Sequence, residues 1–206
     1  MEFLNIFNTF YQDVLNTTLS EAIAVAFGLA SVWYAKKENI LVFPTGIVSV
    51  LIYIYICFNY KLYADMVINI FYFVMSVYGW YMWTHKNNVK AEREITFCTT
   101  KQHIINGFAL VVSYAIMYYM LSNYTDSDVP MIDSLTTSIF IVGMYLMALK
   151  KIENWIYWIV ADFISVPLYL YKGLVLSSFQ FAVFLVIAVL GYIEWKQRYK
   201  AKFAVA

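Results

Sequence analysis

The chain has 206 residues, 63% of them hydrophobic and only 13% charged, about half the charged share of a soluble domain. This composition excludes an ordinary soluble enzyme or binding module and defines an integral membrane protein, with too little polar sequence for a second, soluble domain. A formal net charge of +1 gives no reason to expect a nucleic-acid partner.

The first 20 residues lack the basic start of a signal peptide and contain Asn5, Asn8, Gln12 and Asp13, so 1–19 reads as an amphipathic lead-in helix. Seven apolar stretches follow, near 20–35, 40–59, 62–83, 104–123, 131–149, 153–171 and 174–195. Each approaches the roughly 20 residues that cross a hydrocarbon core, the first being the shortest. A basic tail over 196–206 ends the sequence. Cys57 lies in an apolar run and Cys98 in a polar loop, an arrangement of two free thiols rather than a disulfide framework.

Seven crossings put the termini on opposite sides, and the basic residues decide which is which. One face collects Lys36, Lys37, Lys86, Lys90, Arg93, Lys101, Lys150, Lys151, Lys196, Arg198, Lys200 and Lys202, which is 12 of the 14 basic residues. The other has Lys61 and Lys172, together with Asp126, Asp128 and Asp133. The positive-inside rule then predicts a cytoplasmic C-terminus and an outside N-terminus in a multi-pass cell-membrane protein.

Two stretches recur. Lys36-Lys37-Glu38-Asn39 opens the second span and Lys150-Lys151-Ile152-Glu153-Asn154 the sixth; Gly79-Trp80-Tyr81-Met82-Trp83 closes the third and Gly191-Tyr192-Ile193-Glu194-Trp195 the seventh. These matches suggest two copies of a three-helix unit, 20–83 and 131–195. A unit with an odd number of crossings ends on the side opposite to its start. A second copy in the same orientation therefore needs one extra helix, which 104–123 supplies. The expected architecture is all-α, three plus one plus three with parallel repeats, a class that holds substrate between its halves near the midplane.

Trp155, Trp158 and Asp162, at i, i+3 and i+7, fall on one helix face. Asp162 lies nine residues inside Glu153, on the order of 13 Å deep at about 1.5 Å per residue, and a carboxylate at that depth is costly enough to mark a site. Aromatic faces beside a carboxylate suit a flat, cationic small molecule, although tryptophans near a membrane boundary also serve as interfacial anchors. The first unit offers Thr45 and Ser49 after Pro44 and Gly46, then Asn69, Tyr72 and Ser76. Pro44 either loosens its helix or sits in the first turn, where proline fits. Asn69 bonds either a neighbouring helix or a ligand. Asp65, four residues after Lys61, is placed to form an ion pair with it. Gln180 falls within one position of where Asn69 maps in the second unit. Ser165, Ser177 and Ser178 are free to bond back to their own helices, and Gly28, Gly107, Gly143 and Ala182 read as close-packing positions.

The sequence contains no Gly-Lys-Ser/Thr phosphate loop, Gly-x-Ser-x-Gly elbow or His-Glu-x-x-His pair, and His85 and His103 lack the spacing of metal ligands. No catalytic residue, cofactor or metal is expected.

The residues Lys61-Leu62-Tyr63-Ala64-Asp65, Asn69, Tyr72 and Gly79-Trp80-Tyr81, with Trp155-x-x-Trp158-x-x-x-Asp162, resemble the PnuC family of bacterial vitamin transporters over about residues 20–195. The paired-tryptophan motif is the specific part. The resemblance implies a seven-helix, SWEET-like fold, a homotrimer, and facilitated diffusion of nicotinamide riboside that a cytoplasmic kinase then traps. It also implies that Trp155 and Trp158 wall the substrate site. Asp162 stands where the family motif usually has asparagine, and Asn69 where glutamine is common. Relatives of this fold are assigned to thiamine and riboflavin too. A carboxylate is compatible with a pyridinium or thiazolium cation and gains nothing obvious from neutral riboflavin.

Overall fold

A computed structural model describes residues 2–85 and 93–204; Lys86 and Lys90 of the basic face lie outside these bounds. The described chain forms eight helices: α1 (Glu2–Asn16), α2 (Leu19–Lys36), α3 (Val42–Asn59), α4 (Tyr63–Thr84), α5 (Thr100–Tyr124), α6 (Pro130–Ala148), α7 (Glu153–Tyr171) and α8 (Val175–Ala204). Local sequence sets most boundaries. Thr18 with Glu21 and Thr99 with Gln102 form capping boxes that start α2 and α5, and Pro130 occupies the first turn of α6.

Five helices, α3, α4, α5, α6 and α8, are long and apolar enough to cross a membrane, and a sixth span results if α1 and α2, bent 106° apart, count as one. The expected seven spans are therefore not all visible by length and apolarity. α7 falls short because Glu153, Asn154, Asp162 and its ring-bearing side chains replace aliphatic surface. α1 is a separate lead-in, docked on α8 by Phe10 against Phe179 and by the Asp13 carboxylate accepting from the Leu176 N–H. The basic tail is helical as far as Ala204 rather than beginning at 196, and Arg198 bonds Glu194 one turn back.

Within the chain α3 packs on α2 and α4, and α7 packs on α6 and α8. These two trios meet through α2 against α8 and α4 against α6, while α5 leans mainly on α6. Exchanging one trio for the other converts the first of those contacts into the second. Among the described residues neither α3 nor α4 approaches α7 or α8, so the middle of the molecule is bridged by side chains alone.

The turns follow the same correspondence. Glu38 and Lys150 are both left-handed, with φ of 55° and 52°, and each turn closes with the same two backbone bonds: Glu38 to Ala35 and Asn39 to Tyr34, then Lys150 to Met147 and Lys151 to Leu146. Lys61 and Gly173, again left-handed, repeat the pattern between α3–α4 and α7–α8. In each case the offset is 112 positions. It pairs Gly79 with Gly191 and Trp83 with Trp195, as the sequence suggested, but matches Glu38 to Lys150. The Lys-Lys and Glu-Asn stretches are thus displaced by two or three residues from one another, because the left-handed turn residue sets the register.

A buried apolar cluster lies at the basic end, where Phe43, Trp83, Ile95, Met147, Ile152, Trp155 and Trp195 meet. Phe43 lies against Gly79, where a Cβ would come within 2.4 Å of its ring, and Trp155 lies against Gly191, at 2.6 Å. The loop before α5 runs alongside the α6–α7 turn. Thr96 donates its N–H to Lys150 and accepts from the Ile152 N–H.

Candidate functional site

Asp162 is the middle residue of α7, and its side chain is buried at the seam between the trios, within electrostatic range of Tyr72 on α4. It is 2% exposed and has no hydrogen-bond or ion-pair partner among the described residues. The Tyr72 hydroxyl, reaching over from α4, is within electrostatic range of both Asp162 and Tyr169. Asp162 and Tyr169 are two turns apart on α7. Ser165 lies between them on that face, buried, with a hydroxyl that bonds nothing in the described structure. Thr136 and Ser138, by contrast, bond back to carbonyls of their own helix. Buried polar groups are rarely left unpaired, and the carboxylate and hydroxyl on this one buried face give α7 the capacity to accept from and donate to a polar ligand.

The two tryptophans differ. Trp158 is half-buried, seated in a recess made by Gly143, where a Cβ would come within 2.4 Å of Trp158 Cδ1. Its ring stands edge-on to Trp155, centroids 5.3 Å apart at 80°. Trp155 is wholly buried, edge-on to Trp195 at 5.5 Å, and its indole N–H has no partner. In this conformation Trp155 is the floor beneath Trp158 rather than an open wall. Gly143 is a packing position, as expected, but what packs there is Trp158; Gly107 faces open space.

Of the other expected residues, Gln180 on α8 lies beside the Tyr53 hydroxyl of α3. Asn69 shares a face of α4 with Tyr72 but donates its amide to the Asp65 carbonyl of its own helix at 2.9 Å. Thr45 and Ser49 are not brought into the gap. The Thr45 hydroxyl donates to the Leu41 carbonyl at 2.6 Å, and buried Ser49 donates to the Ala24 carbonyl at 2.8 Å, joining α3 to α2. Composition misleads there because hydroxyls in helices satisfy themselves on nearby carbonyls. Pro44 occupies the first turn of α3.

At the acidic end the Lys61–Asp65 pair does not form. Lys172 instead grips both carboxylate oxygens of Asp133, at 2.6 and 2.7 Å, and lies within electrostatic range of Asp65. Lys61 is drawn away because it is the left-handed residue that ends α3. The sequence reading missed Tyr53 and Tyr169. Tyr53 and Ser165 occupy corresponding positions, a signal that emerges only once the 112-residue offset is known.

A bundle of helices, five of them long and apolar enough to cross a membrane, with a buried carboxylate at the seam of its two trios, defines a polytopic membrane protein. A sequence model of the nicotinamide mononucleotide transporter family matches residues 18–197, and the chain belongs to that family. It is 25% identical over 200 residues to the Escherichia coli nicotinamide riboside transporter PnuC, covering 85% of this chain and 84% of that one. It is 26% identical to the PnuC of Neisseria mucosa, covering 87% and 72%. The riboflavin/roseoflavin transporter RibM of Streptomyces davaonensis is 25% identical over 124 residues, covering 59% and 58%. A crystal structure of the vitamin B3 transporter PnuC superposes with a TM-score of 0.70 at 25% identity, covering 95% of this chain and 88% of that one.

Proposed function

We propose that the protein carries nicotinamide riboside across the cytoplasmic membrane by facilitated diffusion, with Asp162, Trp158, Tyr72 and Gln180 forming the binding site. The observation that carries this reading is the unpartnered Asp162 carboxylate, set in the inter-trio gap one helical turn from the half-buried Trp158 face. An aromatic face and an anion together suit a flat pyridinium cation, and the neighbouring hydroxyl and amide suit a sugar. The names of the two PnuC relatives support the same substrate. Trp155 backs Trp158, and Asn69 stands at the rim of the gap.

The reading extends to architecture. α2–α4 and α6–α8 are parallel three-helix repeats joined by α5, and seven helices cross the bilayer in a SWEET-like arrangement. Trp158 and Asp162 make α7 the span that length and apolarity overlook. The end carrying Lys36, Lys37, Lys150, Lys151 and Arg198 faces the cytoplasm and the Asp133 end faces outside. The working form is a homotrimer, and a cytoplasmic kinase that phosphorylates the riboside keeps the gradient inward.

Relatedness to RibM favours riboflavin as the second reading. It is the weaker one, because a neutral isoalloxazine gives the Asp162 carboxylate no charge to meet. The deciding experiment is binding to the purified protein of nicotinamide riboside, thiamine and riboflavin in competition, followed by flux into liposomes. Saturable, gradient-driven riboside flux is the expected result. Binding of another vitamin instead, or binding without any flux, overturns the proposal.

A further inference from the structure

Glu38 and Lys150 occupy corresponding positions, 112 residues apart, and they bond to each other at 2.7 Å. A contact between equivalent residues of two related trios lies on the line that divides them. Any rocking that spreads the trios at this end therefore lengthens it. Lys150 is 4% exposed in its side chain and its ammonium sits 4.5 Å over the Trp83 ring. Glu38 is held from its other side by Arg198 at 3.3 Å.

Beside the Lys36–Glu194 and Lys37–Glu194 pairs, at 3.9 and 3.6 Å, two indole hydrogen bonds cross the same line reciprocally. Trp83 donates its indole N–H to the Met147 carbonyl at 3.2 Å, and Trp195 donates to the Ala35 carbonyl at 3.1 Å. Each joins one trio's last helix to the end of the other trio's first helix. Beneath them lies the sealed apolar cluster. At the opposite end, among the described residues, no ion pair joins the trios: Lys172 and Asp133 both belong to the second one. The molecule is tied shut at its basic end and loosely joined at its acidic end.

We propose that the Glu38–Lys150 contact is the inner gate of the transport cycle, so that the central gap opens to the basic side only when these two residues part. The proposal rests on the transporter reading given above, but not on which vitamin is carried. The chemistry suits a reversible latch. When the trios separate, the Lys150 ammonium exchanges the carboxylate and the indole face for water, whereas buried ions that lose their partner without gaining water would be trapped. Lys150 and Glu38 are thus positioning residues that act on access and do not touch the ligand.

The test places a reporter cysteine beneath the gate, Val42→Cys, and a second at the acidic end, Leu168→Cys, each in a Cys57→Ala, Cys98→Ala chain in nanodiscs. Both positions are buried, at 2% and 6% exposed. Alkylation by a charged maleimide without any ligand reads the opening of each end, independently of substrate identity. Glu38→Gln and Lys150→Met should each raise labelling of the Val42→Cys reporter tenfold or more. The double variant should rise less than the product of the singles, and Lys150→Arg should stay near the parent. Labelling of Leu168→Cys should not increase in any of them. Unchanged labelling, strictly multiplicative effects, or equal rises at both reporters, as unfolding would give, each overturn the gate.

Discussion

Trp155 and Trp158 stand edge-on at 5.3 Å, yet only Trp158 keeps an accessible face, since Trp155 is closed in by Trp195 and Gly191. One motif thus holds two residues with different physical duties, and substitution should separate them. Trp158→Ala should weaken ligand binding roughly 10- to 100-fold, about 1.4 to 2.8 kcal/mol, with little loss of thermal stability. Trp155→Ala should destabilise the protein by about 3 to 5 kcal/mol, the usual cost of removing a large buried ring. Binding isotherms beside melting curves distinguish the two. Equal loss of affinity at unchanged Tm in both variants would refute the division.

The glycines beneath these rings offer a finer probe. A Cβ at position 143 would meet Trp158 at 2.4 Å, and one at 191 would meet Trp155 at 2.6 Å. Gly143→Ala should push the half-buried Trp158 into the gap and lower affinity with a modest stability change. Gly191→Ala has no such outlet and should cost about 1 to 3 kcal/mol in stability, as overpacking does. Tryptophan fluorescence quenching by a soluble quencher would report the displaced ring in the first variant alone.

Asp162 should select for charge. Asp162→Asn keeps shape and hydrogen-bonding capacity but removes the anion, so binding of the pyridinium riboside should fall about tenfold, while its neutral dihydro form should lose little. Asp162→Leu should abolish binding of both. If asparagine leaves the preference between the charged and reduced forms unchanged, the carboxylate does not read the cation.

Outside the membrane, Cys98 should be a poor nucleophile. Burial, followed by the Glu153 carboxylate, pushes its thiol up to about 12. Glu153 accepts from the Cys98 N–H at 2.9 Å. Only the thiolate reacts, and a raised value means less of it at any pH below about 9, about 1,000-fold less than for an ordinary thiol. Alkylation of Cys98 at pH 8 should therefore be slow and should quicken tenfold per pH unit up to about 12. Glu153→Gln removes the nearby charge and should accelerate it. A plateau near pH 9 would contradict this environment.

Much of this protein follows from local sequence. Seven helical stretches, their approximate limits and the concentration of basic residues at one end are legible from apolar run length and charge placement, because a helix in lipid must satisfy its backbone internally. Asp162 stands out for the same reason, since a carboxylate is expensive in an apolar run wherever the chain goes, and Trp158 stands out as an aromatic face one turn away from it. The register between the trios was only half legible, through Gly79 and Gly191. The neighbouring Lys-Lys and Glu-Asn stretches look alike but are displaced, and the left-handed turns at Glu38 and Lys150 had to be seen to align them. Only the tertiary structure decided which polar groups are spoken for. Thr45, Ser49 and Asn69 satisfy backbone carbonyls, Lys172 takes Asp133, and the buried Ser165 hydroxyl is left unpaired on the face it shares with Asp162. Residue type states what a side chain can bond; whether a partner is already within 3 Å depends on which helices face each other. That is decided by packing across the whole chain, as in the meeting of Glu38 with Lys150.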